Sequence, residues 1–386
     1  MPRLGSEVLL PASGEKVPEG RMRAAPHPAL RATLSPRSRG EGLREVLFIA
    51  LLTISVAAQA QQYQERITVE RILVDARVTD SHGNPIAGLK PSDFQVRIDG
   101  KLAKVEAADW IPDTAAAREL ADIDRPQTEV NTSLNVPPPN GRLFVFFFQT
   151  DFARNASRVI GQMEILQKID SFLDFLEPED RVAVLSFDSH LKFRLDFSDD
   201  KHRIAAAMKD ALLVNEPNTP PIVPMPSLRS HLDPKTLKDI SSSEQALLVL
   251  GNAMLPIPGP KSLVLFGWGL GTLSGDRVWM PPVYGAARQA LESARVSVFS
   301  LDFTQADYHS LEVGLGKVSA DTGGFYAKTF HFPDIAIERL QKTLTGHYEL
   351  EVRKPETKVR GLHTIEVSVN RRDAEVMARS TYVDRD

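Results

Sequence analysis

Residues 141–155 read GRLFVFFFQTDFARN, and their reading decides the fold. Positions 143–148 are uninterrupted apolar side chains, four of them Phe. A run of that length suits a strand buried on both faces, as at the centre of a parallel sheet. It stops before Asp151, and a helical pattern starts within a few residues. Open α/β sheets bind ligands in the crevice beyond the carboxyl ends of their strands. Asp151, Arg154 and Asn155 are therefore expected on the rim of such a crevice.

Outward from this strand, helix and strand patterns alternate. Ile165, Leu166, Ile169, Phe172, Leu173 and Leu176 recur at helical spacing, and Pro178 closes the helix. A strand is predicted over 182–187, with 192–197 as its edge hairpin partner and an amphipathic helix over 201–213. Residues 215–234 carry six prolines and read as loop. Further helices are predicted over 241–255, 286–294, 311–320 and 335–344. Strands are predicted over 263–266 and 296–301, and Gly323-Gly324 opens a short one. The alternation implies an α/β fold, a doubly wound, mainly parallel sheet.

The two ends read differently. Ile72, Val74, Ala76 and Val78 recur at every second position, as do Phe94, Val96 and Ile98, and Asp99-Gly100 is a hairpin turn signal. Near the other end Tyr348, Leu350 and Val352 alternate, then Ile365, Val367 and Val369. Two or three strands cannot bury a face alone. The economical solution packs both ends together as one β-sandwich, with the α/β unit inserted between them. The expected division is an N-terminal extension with signal peptide over 1–60 and a first sandwich part over 61–112. A polar linker over 113–140 leads into the α/β domain over 141–345, and 346–386 complete the sandwich.

Residues 21–44 hold six arginines and one acidic residue, Glu41. The uncharged run VLFIALLTISVAA follows at 46–58, then the small-x-small site Ala58-Gln59-Ala60. This order reads as a secretory signal peptide cleaved after Ala60, with an uncleaved anchor as the alternative. The run is short for a membrane span, which needs about 20 residues, so no stable span is expected after cleavage. The 386 residues suffice for two domains. A net charge of -4 gives no pointer to nucleic acid, and the absence of cysteine excludes disulfides and thiolate metal sites.

Four segments resemble the bacterial VWFA-related proteins, secreted chains carrying a von Willebrand factor type A domain. They are VDARVTDSHGNPIAGLKPSDFQVRIDGK at 74–101, the strand leading to Asp151, EDRVAVLSFDSHLKFRLDFSDD at 179–200, and SVFSLD…TGGFYAKTF…HYEL within 297–350. The resemblance implies a divalent-cation site of pattern D-x-S-x-S after the first strand, completed by a distant Thr and a distant Asp. Hard cations take carboxylate and hydroxyl oxygens. Here Asp151 matches, Ala153 has no oxygen, and Asn155 offers only an amide carbonyl. Thr219 is the candidate for the distant Thr. The distant Asp would end the strand over 263–266, where the chain reads Gly267-Trp268-Gly269. The expectation is a degenerate site with no cofactor, or at most a weakly held Mg²⁺. The alternative role for Asp151 is a helix cap or turn residue.

The sequence contains no H-E-x-x-H, no G-x-S-x-G and no Walker phosphate loop. His190, His202, His309 and His331 read as surface or capping residues, and Asp188 and Asp196 as strand-end turn residues. Trp268 and Trp279 flank a loop near the crevice, either as partner anchors or as loop packing. The expected function is an exported, non-enzymatic protein-binding or scaffold protein, periplasmic or extracellular. Its protein partner would meet Asp151, Arg154, Asn155, Thr219 and Trp268. The alternatives are a structural envelope protein with a vestigial crevice, or an uncharacterised hydrolase.

Overall fold

In the computed structural model the Phe-rich run is a strand with every residue buried. The structure describes residues 70–122, 141–150, 155–217, 224, 226–355 and 360–384. All of them lie in one unit, Thr68–Asp386. The expected signal peptide therefore falls outside the described residues. The chain opens with β1 (Arg71–Asp80), β2 (Phe94–Ile98), β3 (Lys101–Pro112) and helix α1 (Ala115–Asp122). There follow β4 (Leu143–Gln149), α2 (Ala156–Gln167), α3 (Ile169–Asp174), β5 (Arg181–Phe187), β6 (Leu191–Ser198) and α4 (Lys201–Leu212). Next come α5 (Pro234–Asp239), α6 (Ser243–Met254), β7 (Lys261–Gly267) and the hairpin β8 (Thr272–Ser274) with β9 (Arg277–Trp279). The α/β part ends with α7 (Val283–Ser293), β10 (Val296–Asp302), α8 (Glu312–Asp321), β11 (Tyr326–Lys328) and α9 (Pro333–Thr343). The last strands are β12 (Gly346–Arg353), β13 (Leu362–Val369), β14 (Ala374–Ala378) and β15 (Thr381–Val383).

The α/β sheet runs β11-β10-β7-β4-β5-β6, parallel except for the edge strand β6. Successive side chains of β4 point to opposite faces. Phe144, Phe146 and Phe148 enter the core under α2, α3, α4 and α9, while Leu143, Val145 and Phe147 enter the core under α6, α7 and α8. Phe148 stacks on Phe266 of β7 with ring centroids 4.4 Å apart. This double burial is why the run carries no polar residue.

Strands from both ends of the chain join in one hydrogen-bonded order, β14-β1-β12-β3-β2-β13-β15. They share a core of Val74, Val78, Phe94, Ile98, Tyr348, Leu350 and Ile365. The Tyr348 hydroxyl donates to the Ile86 carbonyl at 2.8 Å and accepts from Leu89 N–H at 2.9 Å. This sheet is tied to the amino ends of the α/β strands by charged groups. Arg295 donates to both Asp75 oxygens, at 2.8 and 2.5 Å, and also to Glu349. Arg77 donates to Ser297 Oγ at 2.9 Å, and Thr381 Oγ1 lies 2.6–2.7 Å from both Glu292 oxygens. Burial opposes ionisation of Asp75, but Arg295 outweighs it and holds that carboxyl below its ordinary range. The seam sits at the amino ends of the α/β strands, opposite their carboxyl edge.

Several elements differ from the sequence reading. The linker expected over 113–140 begins with α1, whose AAARELAD sequence is rich in helix formers; residues 123–140 lie outside the described ones. The helix expected through Leu176 is two helices that meet at Lys168. Pro234, read as loop, starts α5 at a position where its missing N–H costs nothing, with Asp233 as the cap. The β8–β9 hairpin was not anticipated; Gly275 turns it at φ 65°.

Candidate functional site at the carboxyl edge

The carboxyl ends of β4, β7 and β10 meet at one edge, and the side chain of Gln149 organises it. Its Nε2 donates to Gly269 O at 2.7 Å and Ser243 Oγ at 3.0 Å. Its Oε1 accepts from the backbone N–H of Trp268 at 3.0 Å and of Gly269 at 3.2 Å. One amide thus satisfies both ends of the turn after β7. A Cβ at Gly267 would lie 3.0 Å from Gln149 Oε1. Gly267, where the resemblance implies an Asp, is therefore the residue that fits beside this amide. Gln149→Ala is expected to cost about 1–3 kcal/mol by orphaning buried backbone groups. Denaturant unfolding checks this, and a loss below about 0.5 kcal/mol would show the turn holds without the amide.

The residues proposed from sequence fare differently. Asp151, Arg154 and Thr219 lie outside the described residues. Asn155 is the N-cap of α2: its Oδ1 accepts from Ser157 N–H at 3.1 Å and Ser157 Oγ at 2.6 Å. The cap weighed for Asp151 is thus supplied by Asn155, whose oxygen is already engaged. Trp268 is half-buried, its ring 3.6 Å under the Arg158 guanidinium carbon, a close cation–π contact. It packs the loop onto the core, and its buried indole N–H has no hydrogen-bond partner among the described residues.

A second polar group stands one strand over. Asp302, fully buried, ends β10. Its Oδ1 accepts from Thr304 N–H at 2.8 Å; its Oδ2 lies 2.6 Å from His309 Nε2 and accepts from the Tyr326 hydroxyl at 2.9 Å. Burial, then the charge of Asp302, push the Tyr326 phenol up, so it stays protonated and donates. Glu312, in the first turn of α8, pairs with Lys328 at 2.8 Å. His309 is therefore part of a built cluster, not a surface residue. The signal was present in the strand-ending Asp302, but nothing in the spacing tied it to His309 and Glu312. Asp196 is likewise more than a turn residue: buried in β6, it accepts from Ser227 Oγ at 2.6 Å and Leu228 N–H at 2.8 Å.

Solved structures similar to this chain include a von Willebrand factor type A protein and the vWF domain of a pilus-tip protein. The von Willebrand factor type A protein from Catenulispora acidiphila matches at 9% identity and TM-score 0.34, over 83% of this chain and 76% of that one. The vWF domain of the type V pili tip protein Mfa5 from Porphyromonas gingivalis matches at 10% identity and TM-score 0.34, over 54% and 96%. The human COPII-coat protein Sec24c matches at 11% identity and TM-score 0.37, over 64% of this chain but only 44% of its own. No protein-family model matches, and no relative was found among curated protein sequences.

Proposed function

We propose that the chain is an exported, non-enzymatic protein-binding or scaffold protein that meets a protein partner with the carboxyl edge of its type A-like sheet. The observation that carries this reading is a set of exposed aromatic side chains on that edge. Trp279 is 61% exposed, Tyr308 67% and Phe332 65%. Each follows the carboxyl end of a different parallel strand, β7, β10 or β11. Large exposed aromatics are costly to leave in water, and they are the usual anchors of protein interfaces. Export rests on the sequence of residues 46–60. Among the described residues no helix is long and apolar enough to cross a membrane.

The metal position of type A domains is read as degenerate in this chain. A neutral amide, Gln149, bridges to a glycine turn, and the Asn155 oxygen is engaged in capping. Binding through this edge is expected to be indifferent to added Mg²⁺. The two chain ends act in this reading as one platform beneath the binding unit, with the division at 61–112, 141–345 and 346–386.

The test is cross-linked capture from an envelope fraction with the full chain and with a Trp279→Ser/Tyr308→Ser/Phe332→Ser variant. These exposed substitutions are expected to leave the melting temperature within a few degrees of wild type. Capture of the partner should fall at least tenfold. Equal capture by the variant would place the interface elsewhere.

A further inference from the structure

We propose that Asp302, His309 and Glu312 bind a divalent transition-metal ion of the zinc class. The resemblance to type A domains places an ion at the ends of β4 and β7. This triad instead belongs to the end of β10, the loop after it and the first turn of α8, so it is a different position. The inference does not depend on the partner-binding reading.

The donor set is the first ground. One imidazole and two carboxylates offer ligand atoms that all lie within 4.8 Å of one another. An imidazole with carboxylates suits Zn²⁺ and its neighbours, whereas Mg²⁺ prefers an all-oxygen shell that keeps several waters. The second ground is the support around the ligands. Thr304 N–H holds Asp302 Oδ1, the Tyr326 hydroxyl donates to Oδ2, and His309 N–H donates to Glu312 Oε2 at 3.2 Å. Such outer hydrogen bonds fix ligand orientation before the ion arrives. The third is a buried hydroxyl on the residue whose N–H holds Asp302. Thr304 is 6% exposed, and its Oγ1 has no hydrogen-bond partner among the described residues. A water on the ion is the group that would complete it.

One cation already stands in the cluster, a lysine. His309 Nε2 and Asp302 Oδ2 lie 2.6 Å apart, in hydrogen-bond contact. The ion would sit between these two atoms in place of that hydrogen bond. Lys328 neutralises Glu312, but it also donates to the Asp307 carbonyl, so it keeps a partner when the ion takes the carboxylate. Lys328 is thus a competitor for the site, and this gives the test its sign.

The experiment uses the full chain without a histidine tag, titrated with Zn²⁺ by calorimetry and with Co²⁺ by visible absorption. One ion per chain is expected, with a Co²⁺ spectrum of low coordination number. His309→Gln should weaken binding at least tenfold and abolish that spectrum. Lys328→Met should tighten Zn²⁺ binding, because it removes the competing cation. If the cluster is only an ion-pair network, Lys328→Met will lower the melting temperature with no gain in metal affinity. That result, the absence of a one-to-one heat, or a Co²⁺ spectrum unchanged in His309→Gln would each overturn the proposal.

Discussion

Arg142→Ala is expected to lower the unfolding free energy by about 3–5 kcal/mol, the usual cost of orphaning one partner of a buried ion pair. Arg142 stands one residue before β4, and its side chain is 9% exposed against 1% for Asp180. Its Nε lies 3.0 Å from Asp180 Oδ1 and its Nη2 2.5 Å from Oδ2, a two-pronged contact. The remaining donors reach the carbonyls of Leu344 and Phe175, both at 3.1 Å. One guanidinium therefore joins the start of the central strand to the ends of α3 and α9. Asp180 would keep only N–H partners, from Arg142 itself at 3.0 Å and Glu177 at 2.8 Å, and a buried uncompensated charge. Domains have about 5–15 kcal/mol in total, so this loss is a large fraction. The denaturant midpoint should fall with an unchanged slope, and Arg142→Lys should fall between, since lysine restores charge without the fork. A loss under about 1 kcal/mol would show that the pair is not what holds the central strand.

The second large effect is a fall in stability as pH rises from about 4.5 to 7. Glu292 of α7 is 3% exposed. Burial pushes its carboxyl up to about 7, against the Thr381 hydrogen bond and the charges of Arg288 and Arg379. Between pH 4.5 and 7 the folded chain keeps this proton and the unfolded chain has lost it. Stability contributed by the protonated form is thus complete below 4.5 and is lost as pH rises through 7, by about 3 kcal/mol. Lys261, at the start of β7, has the opposite sign. Burial first, and then Arg295, bring it down to about 7. The folded chain releases that proton near 7 while the unfolded chain keeps it to 10.5, so stability climbs again on the alkaline side. A minimum near neutrality results. Glu292→Gln keeps a partner for Thr381 and removes the titration, so it should flatten the acid limb and raise the melting temperature at pH 8. Persistence of the full acid limb in Glu292→Gln would assign the dependence to another group.

Local pattern was enough for the α/β character and the central place of 143–148; for the two ends it led to the expectation of a β-sandwich, whereas the structure pairs their strands in a single order. The reason is that burial on two faces demands an unbroken apolar run, and burial on one face demands alternation. The candidate site was only half legible. Asp151 and Trp268 stand out in sequence because they follow strand ends, yet Trp268 turned out to serve the core, with Arg158 on its face. Gln149 carries no signal in the sequence; only the neighbouring strand shows that its amide spans the turn at 268–269. Asp302, His309, Glu312, Tyr326 and Lys328 converge because β10, β11 and α8 are neighbours in space, and no spacing along the chain encodes that. The sequence by itself determined which segments must be buried, since transfer of apolar surface from water depends on side-chain type. Only the tertiary structure decided which charges meet, because an ion pair or a ligand set depends on distances of a few ångströms between segments that pairing of the strands brings together.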